Sequence, residues 1–345
     1  MSFSQTQSYF QVITTRPEEL KAISPYIYYR YEGGRLSIVN LKSQTATPKW
    51  IFNYIRPVQL GNIGHYSPTP AQLRDFSLPP IDQNYLKAIK MDQIKGGVAK
   101  LASYKDRSSG SVDNQAAQAW IAEQLSQLGY QVSRVCYQPK ICSILAEKIG
   151  LKNPKSVILV EGHLDSVGES FAGADDNATG TSATLEMARV LSTYQNNNTL
   201  RFFLTNGEEQ GMLGSTFYVK NLIASGDIKN LKLVVNMDMV GFNSNGTVEL
   251  ETDKEWNSVA LWFAQLTATY TQLKSKITLG AFGSDHVPFL KAGVPTLLTI
   301  EFWETKTPCY HKECDKYETI NFPYMYEITK LNTAAVLTAD VPARR

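Results

Sequence analysis

Five residues of metal-binding type follow one another along the chain: His163, Asp176, Glu209, Asp238 and His311. Several of them lie just past a run of apolar β-forming residues. Val157-Ile158-Leu159-Val160 leads into EGHLDS (Glu161 to Ser166), and Leu200-Arg201-Phe202-Phe203-Leu204 leads into TNGEEQG (Thr205 to Gly211). Leu233-Val234-Val235 leads into NMDMVG (Asn236 to Gly241). Ligands of an open α/β sheet gather beyond the carboxyl ends of its strands, so acids and imidazoles at several strand ends make a metal cup. Imidazole nitrogen and carboxylate oxygen are zinc donors, and a catalytic zinc keeps a position open for water. Two histidines and three carboxylates are too few for two separate tetrahedral shells. They suffice when one carboxylate and one water bridge two Zn2+ ions, roughly 3.5–4 Å apart in two-metal hydrolases.

Each motif has a functional and a plainer reading. In HLDS, Asp165 can accept the second N–H of a metal-bound His163, fixing its tautomer. In GADDNATG (Gly173 to Gly180), Asp175 and Asp176 are costly to bury without a cation; the plainer reading is a cap on the following helix. EEQGMLGS (Glu208 to Ser215) offers one glutamate for metal and one as general base, its pKa lifted by desolvation and a like-charged neighbour. The alternative is a solvated acidic turn. In CYHKECD (Cys309 to Asp315), Tyr310 beside His311 has a phenol able to donate to an oxyanion, or simply a ring to pack. GSDHVPFLKAGVP (Gly283 to Pro295) carries His286, but the five-ligand set is complete without it. Ser284-Asp285-His286 therefore reads as a structural turn supporting the site.

The elements that must position these residues alternate between helix and strand, the pattern of an α/β fold. The expected architecture is a mostly parallel mixed sheet flanked by helices, with a small N-terminal α+β region. Ala117, Trp120, Ile121, Leu125 and Leu128 fall at helical spacing before Gly129. Thr184 to Leu191 and Trp256 to Tyr270 read as further helices, and Thr296 to Ile300 as a late strand. Before them, Phe10 to Thr14, Arg35 to Val39 and Trp50 to Phe52 look like strands. Arg16 to Ile23 could hold a short helix with Pro17 in its first turn. The proline-rich stretch His65 to Gln83 reads as a linker or surface crossover, dividing residues 1–84 from a catalytic domain at 85–345. His65 sits there as an ordinary loop histidine.

The chain has 345 residues, 43% hydrophobic and 19% charged, with a net charge of +2. That balance gives no basic field for nucleic acid, and no apolar stretch is long enough to span a membrane. The start, Met1-Ser2-Phe3-Ser4-Gln5, lacks the basic and apolar segments of a signal peptide; an exported protein would have lost its signal from this numbering. The four cysteines form two close pairs, a usage that favours export. Cys136/Cys142 is either a local bridge or two buried thiols. For Cys309/Cys314 the bridge is the stronger reading, because the loop it would close holds Tyr310 and His311.

HLDS, GADDNATG, NGEEQGMLGS, NMDMVG, GSDHVPFLKAGVP and PCYHKECD, in this order, resemble the bacterial leucyl-aminopeptidase type of co-catalytic dizinc exopeptidase, in metallopeptidase family twenty-eight. The resemblance runs from about Ser109 to the C-terminus. It implies a zinc-exopeptidase fold and a secreted or periplasmic aminopeptidase acting on peptides with a free N-terminus; a monomer is expected. His163 and Asp238 would bind one zinc, Glu209 and His311 the other, and Asp176 would bridge them. Asp165 would orient His163, Glu208 would be the base, and Tyr310 would polarise the scissile carbonyl. The PCYHKECD loop is similar to a disulfide-closed loop, and residues 1–84 stand where secreted relatives often carry a propeptide; such a module would either pack over or beside the cup and restrain it, or serve as a structural extension. Glutaminyl cyclase, one alternative on this fold, uses one zinc. A carboxypeptidase or dipeptidase needs a cation for the substrate carboxylate, which the motifs do not offer. A receptor-like relative would have lost ligands that are all present here.

Overall fold

The computed structural model describes residues 66–74, 78–168, 171–242, 245–280 and 283–341, with the backbone of strands at 9–12, 27–33, 36–41, 55–58 and 64–65. Strands β1 (Tyr9–Val12), β2 (Ile27–Gly33), β3 (Leu36–Leu41) and β4 (Ile55–Val58) form an antiparallel sheet in the order β2-β3-β1-β4. The expected strands at 10–14 and 35–39 fall on β1 and β3. The helix expected at 16–23 and the strand at 50–52 lie outside the described residues.

The large sheet contains β5 (Gly64–Tyr66), β6 (Gln131–Gln138), β7 (Ile141–Lys148), β8 (Asn153–His163) and β9 (Asn198–Thr205). It continues with β10 (Leu231–Met237), β11 (Thr247–Thr252), β12 (Lys274–Leu279) and β13 (Thr296–Glu301). Its order is β5-β12-β11-β13-β10-β8-β9-β7-β6. The centre, β13-β10-β8-β9, is parallel, as is the β11–β12 pair; the remaining pairings are antiparallel. The expectation of a mixed α/β sheet is met, with parallel pairing concentrated where the apolar runs are continuous.

That continuity has a physical cause, since a strand covered on both faces has no polar side. On β8, Ile158 and Val160 enter one core, while Val157 and Leu159 enter the other. The pleat directs successive side chains to opposite faces, so one run fills both layers. The larger core is closed by α3 (Met91–Ala102), α4 (Val112–Gln127), α5 (Gly180–Leu191), α7 (Asn257–Tyr270) and α9 (Phe322–Asp340). The other is closed by α6 (Leu213–Ser225) and α8 (His286–Lys291). Two short helices, α1 (Pro70–Arg74) and α2 (Asn84–Lys87), precede them.

The stretch read as a linker is partly built into this body. Tyr66 ends β5, which pairs antiparallel with β12, and α1 packs on α7. An edge strand of three residues needs only backbone pairing, so it leaves no apolar alternation for sequence reading to find.

Candidate metal centre

Sheet order assembles the site. β8 lies between β10 and β9, so His163, the last residue of β8, has Asp238 beyond one neighbour and Glu208 and Glu209 beyond the other. Asp176 comes from the wound turn Ala174–Thr179 that starts α5. His311 comes from the loop between β13 and α9, closed by the Cys309–Cys314 disulfide. Cys136 and Cys142 are also bridged, across the β6–β7 hairpin where they face each other.

Asp176 joins the two halves of the cup. Its Oδ1 lies 3.2 Å from His163 Nε2, and its Oδ2 lies 3.0 Å from His311 Nε2. His163 Nε2 is also 3.2 Å from Asp238 Oδ1, and His311 Nε2 is 3.3 Å from Glu209 Oε2. Ligand-type atoms of His163, Asp176 and Asp238 lie within 4.8 Å of one another, as do those of Asp176, Glu209 and His311. A third set, His163, Glu208 and Glu209, meets the same limit. All five expected ligands and Glu208 therefore converge.

Around them, Asp165 stands 3.7 Å from His163 Nδ1 through its carboxylate, while its backbone carbonyl is nearer, at 3.2 Å. The same carboxylate accepts the N–H groups of Glu208 and Glu209, each at 3.3 Å, so it also holds the acidic turn. Tyr310 lays its ring on the His311 imidazole, centroids 3.8 Å apart, and meets Trp303 edge-on. It borders the small apolar cluster of Met239, Leu298 and Ile300. His286 is fully buried against Glu251, 3.2 Å away, outside the cup. Ser284 donates to Asp238 Oδ2 at 2.8 Å, so the Ser284-Asp285-His286 turn supports a candidate ligand.

Two residues were missed by sequence reasoning. Arg107 is wholly buried and donates to the carbonyls of Leu164, Leu101, Ala172 and Gly173. It thereby pins both ends of the segment between His163 and Asp176. Asp315 accepts the N–H groups of Asp175 and Asp176, at 2.8 and 3.0 Å. The motif containing Asp315 was visible, but nothing in its spacing signalled a partner so far away.

The electrostatics are those of a crowded acidic pocket. Burial pushes Glu208 well above the usual carboxylate range; His163 opposes this, while Glu209, Asp238 and Asp285 add to it. Glu209 is pushed up to about 7 by burial and by Asp176, against the pull of His311. Burial also raises Asp176, but hydrogen bonds from His163 and His311 hold it below the usual range. Burial lowers His311, yet Glu209 and Asp176 raise it to about 10. Among the described residues, neither buried oxygen of Glu209 receives a well-aligned hydrogen bond. Unsatisfied buried carboxylate oxygens cost several kcal/mol, roughly, unless a cation or proton compensates them.

Residues 145–336, more than half of the chain and a span containing all of these candidate ligands, match Peptidase family M28. The chain belongs to peptidase family M28. Within curated relatives, the aminopeptidase YwaD of Bacillus subtilis is 36% identical over 203 residues, covering 55% of this chain and 44% of that protein. The match spans less than half the length of the first curated relatives. The crystal structure of LapB from Legionella pneumophila has a TM-score of 0.72 at 20% identity, covering 97% of this chain and 100% of that one. BSAP, a zinc aminopeptidase from Bacillus subtilis, has a TM-score of 0.64 at 19% identity, covering 76% and 95%. At these identities the structural likeness is one of fold, and the LapB match takes in most of the N-terminal region of this M28 chain.

Proposed function

We propose that this chain is a zinc-dependent aminopeptidase that releases N-terminal residues from peptides. One observation carries the reading: Asp176 offers one oxygen to each of two imidazoles, each of which has a further carboxylate of its own. The donor set fits two zinc ions. His163 and Asp238 would hold one, Glu209 and His311 the other, with Asp176 between them, and the buried Glu209 carboxylate, 3.3 Å from His311, would gain a cation. Zinc held there supplies a Lewis acid for the scissile carbonyl and lowers the pKa of water.

The chain's own groups divide the remaining work. Glu208 takes a proton from the attacking water and returns it to the leaving amine nitrogen. Tyr310 would donate its phenol proton as a hydrogen bond to the developing oxyanion. Glu208 and Asp238 give the cup the negative field that draws in a free α-ammonium group. The carboxypeptidase alternative lacks support from Arg107, whose guanidinium is taken up by four backbone carbonyls.

Residues 1–84 would be a propeptide-like region and 85–345 the catalytic domain, working as a monomer. Two disulfides suit an oxidising compartment, secreted or periplasmic. No helix among the described residues is long and apolar enough to cross a membrane. The test pairs aminoacyl-nitroanilides with their N-acetylated forms and measures metal in the same sample. Hydrolysis of the free-amine substrates alone, with two zinc ions per chain, is expected. Equal hydrolysis of both forms, or full activity with one ion at saturation, would overturn the reading.

A further inference from the structure

Two loops far apart in sequence furnish the Asp176–His311 side of the cup. One is the turn Ala174–Thr179; the other is closed by Cys309–Cys314. Asp315 follows Cys314 directly and is only 3% exposed. Its Oδ1 accepts from the Asp175 N–H at 2.8 Å and its Oδ2 from the Asp176 N–H at 3.0 Å. Both oxygens of one carboxylate thus engage two successive amides of the other loop.

We propose that Asp315 is a positioning residue that fixes the Asp176 carboxylate for both metal positions, so that the disulfide-closed loop governs the His163 side as well as its own. This rests on the zinc reading above and deepens it. Two adjacent amides anchored to one planar acceptor set the direction of the Asp176 Cα–Cβ bond, leaving only two side-chain torsions to aim its oxygens. Arg107 completes the frame from the other side, donating to the carbonyls of Ala172 and Gly173 immediately before this turn. The Asp315 loop supplies no ligand to the His163–Asp176–Asp238 group. Asp315 reaches that group most directly through Asp176, whose N–H it holds and whose Oδ1 faces His163.

That separation makes the idea testable without any assay of turnover. His311→Ala removes the loop's own ligand and leaves the His163 side intact. Zinc affinity is then compared in H311A and in H311A/D315N by competition with a chelating dye, well below the unfolding temperature of both. Asn at 315 turns an amide N–H toward a backbone N–H, so one of the two anchors is lost. Residues that orient metal ligands typically contribute ~10–100-fold in affinity, and a loss in that range at the His163 side is expected. A purely structural Asp315 would lower the melting temperature while leaving this affinity unchanged, and equal affinities would overturn the proposal. Should D315N not fold, the C309S/C314S pair in the H311A background loosens the same loop with Asp315 retained. It is expected to weaken the His163 side too, and unchanged binding would again overturn the proposal. Absence of zinc from the unmodified protein would instead overturn the functional reading on which this one rests.

Discussion

At the scale of residues, the cup separates groups that hold metal from the one that moves a proton. Glu208 and Glu209 are neighbours, yet only Glu209 faces His311 at 3.3 Å. Replacing Glu208 by Gln keeps the volume and removes the proton acceptor. Metal content is expected to stay while turnover falls by roughly 10²–10⁴, the range for a lost general base. Metal loss in E208Q, read by elemental analysis, would move Glu208 into the ligand set. Asp176→Ala should do the opposite and empty both positions, since its two oxygens serve both histidines. The candidate ligands were legible because each sits behind an apolar run, between glycines, or in a cysteine-bracketed loop, where an acid or imidazole has no packing reason to be. Asp315 and Arg107 were not legible. Asp315 bonds an amide 139 positions away, and Arg107 bonds carbonyls 57 and 66 positions away. Backbone partners of that kind leave no pattern in residue type.

At the scale of elements, close packing under the cup sets tight limits. Gly180 opens α5 against the end of β10, and a Cβ there would sit 2.1 Å from the Met237 carbonyl oxygen. Neither backbone can yield cheaply, so Gly180→Ala should cost about 1–3 kcal/mol or more, as overpacked cores do. It should also displace Asp238, which follows Met237. A melting temperature equal to the parent's would contradict this. β11 carries a second consequence. Glu249 is pushed from 4.5 up to about 7, by burial and by the Glu251 carboxylate, although Thr278 and the Trp303 N–H donate to it. A carboxyl with a raised folded pKa holds its proton more tightly when folded. Its contribution is complete below the unfolded value and is lost as pH rises through the folded one. Between about pH 5 and about pH 8 the protein should therefore lose up to about 3 kcal/mol relative to Glu249→Gln. Parallel denaturant titrations of the two would check it, and superimposable pH profiles would rule it out. Those buried acids also explain why β11 escaped sequence reading: a strand spelled Glu249-Leu250-Glu251 does not look like core. α9 escaped for the opposite reason, being buried nearly all round and so lacking a polar face to mark its period.

At the scale of the whole molecule, residues 1–84 are tied to the large sheet and its helices through β5 and α1. β5 lies on the edge of the large sheet through Tyr66↔Ile277 and Gly64↔Leu279, and the Tyr66 hydroxyl donates to Asn257. Pairing with residues 277–279 covers half of β12 and leaves a three-residue strand at the edge, too short to template pairing with another chain readily. The same contacts bear on proteolysis. The proline-rich stretch after α1 is the place for a nick, but a cut between residues 75 and 83 leaves β5 and α1 on the N-terminal side, still docked on β12 and α7. Segments held side by side before cleavage keep a high effective concentration, so the fragments should co-elute in native gel filtration and part only in denaturant. Cleavage alone should then change activity little, and removing the segment after cleavage is the informative step. Faster peptide hydrolysis by the stripped catalytic domain would mean that residues 1–84 restrain the site. Unchanged or lower activity would leave them the role of covering the β12 edge. Prompt separation of the nicked fragments under native conditions would show that β5 is too weak a tie to matter for either role.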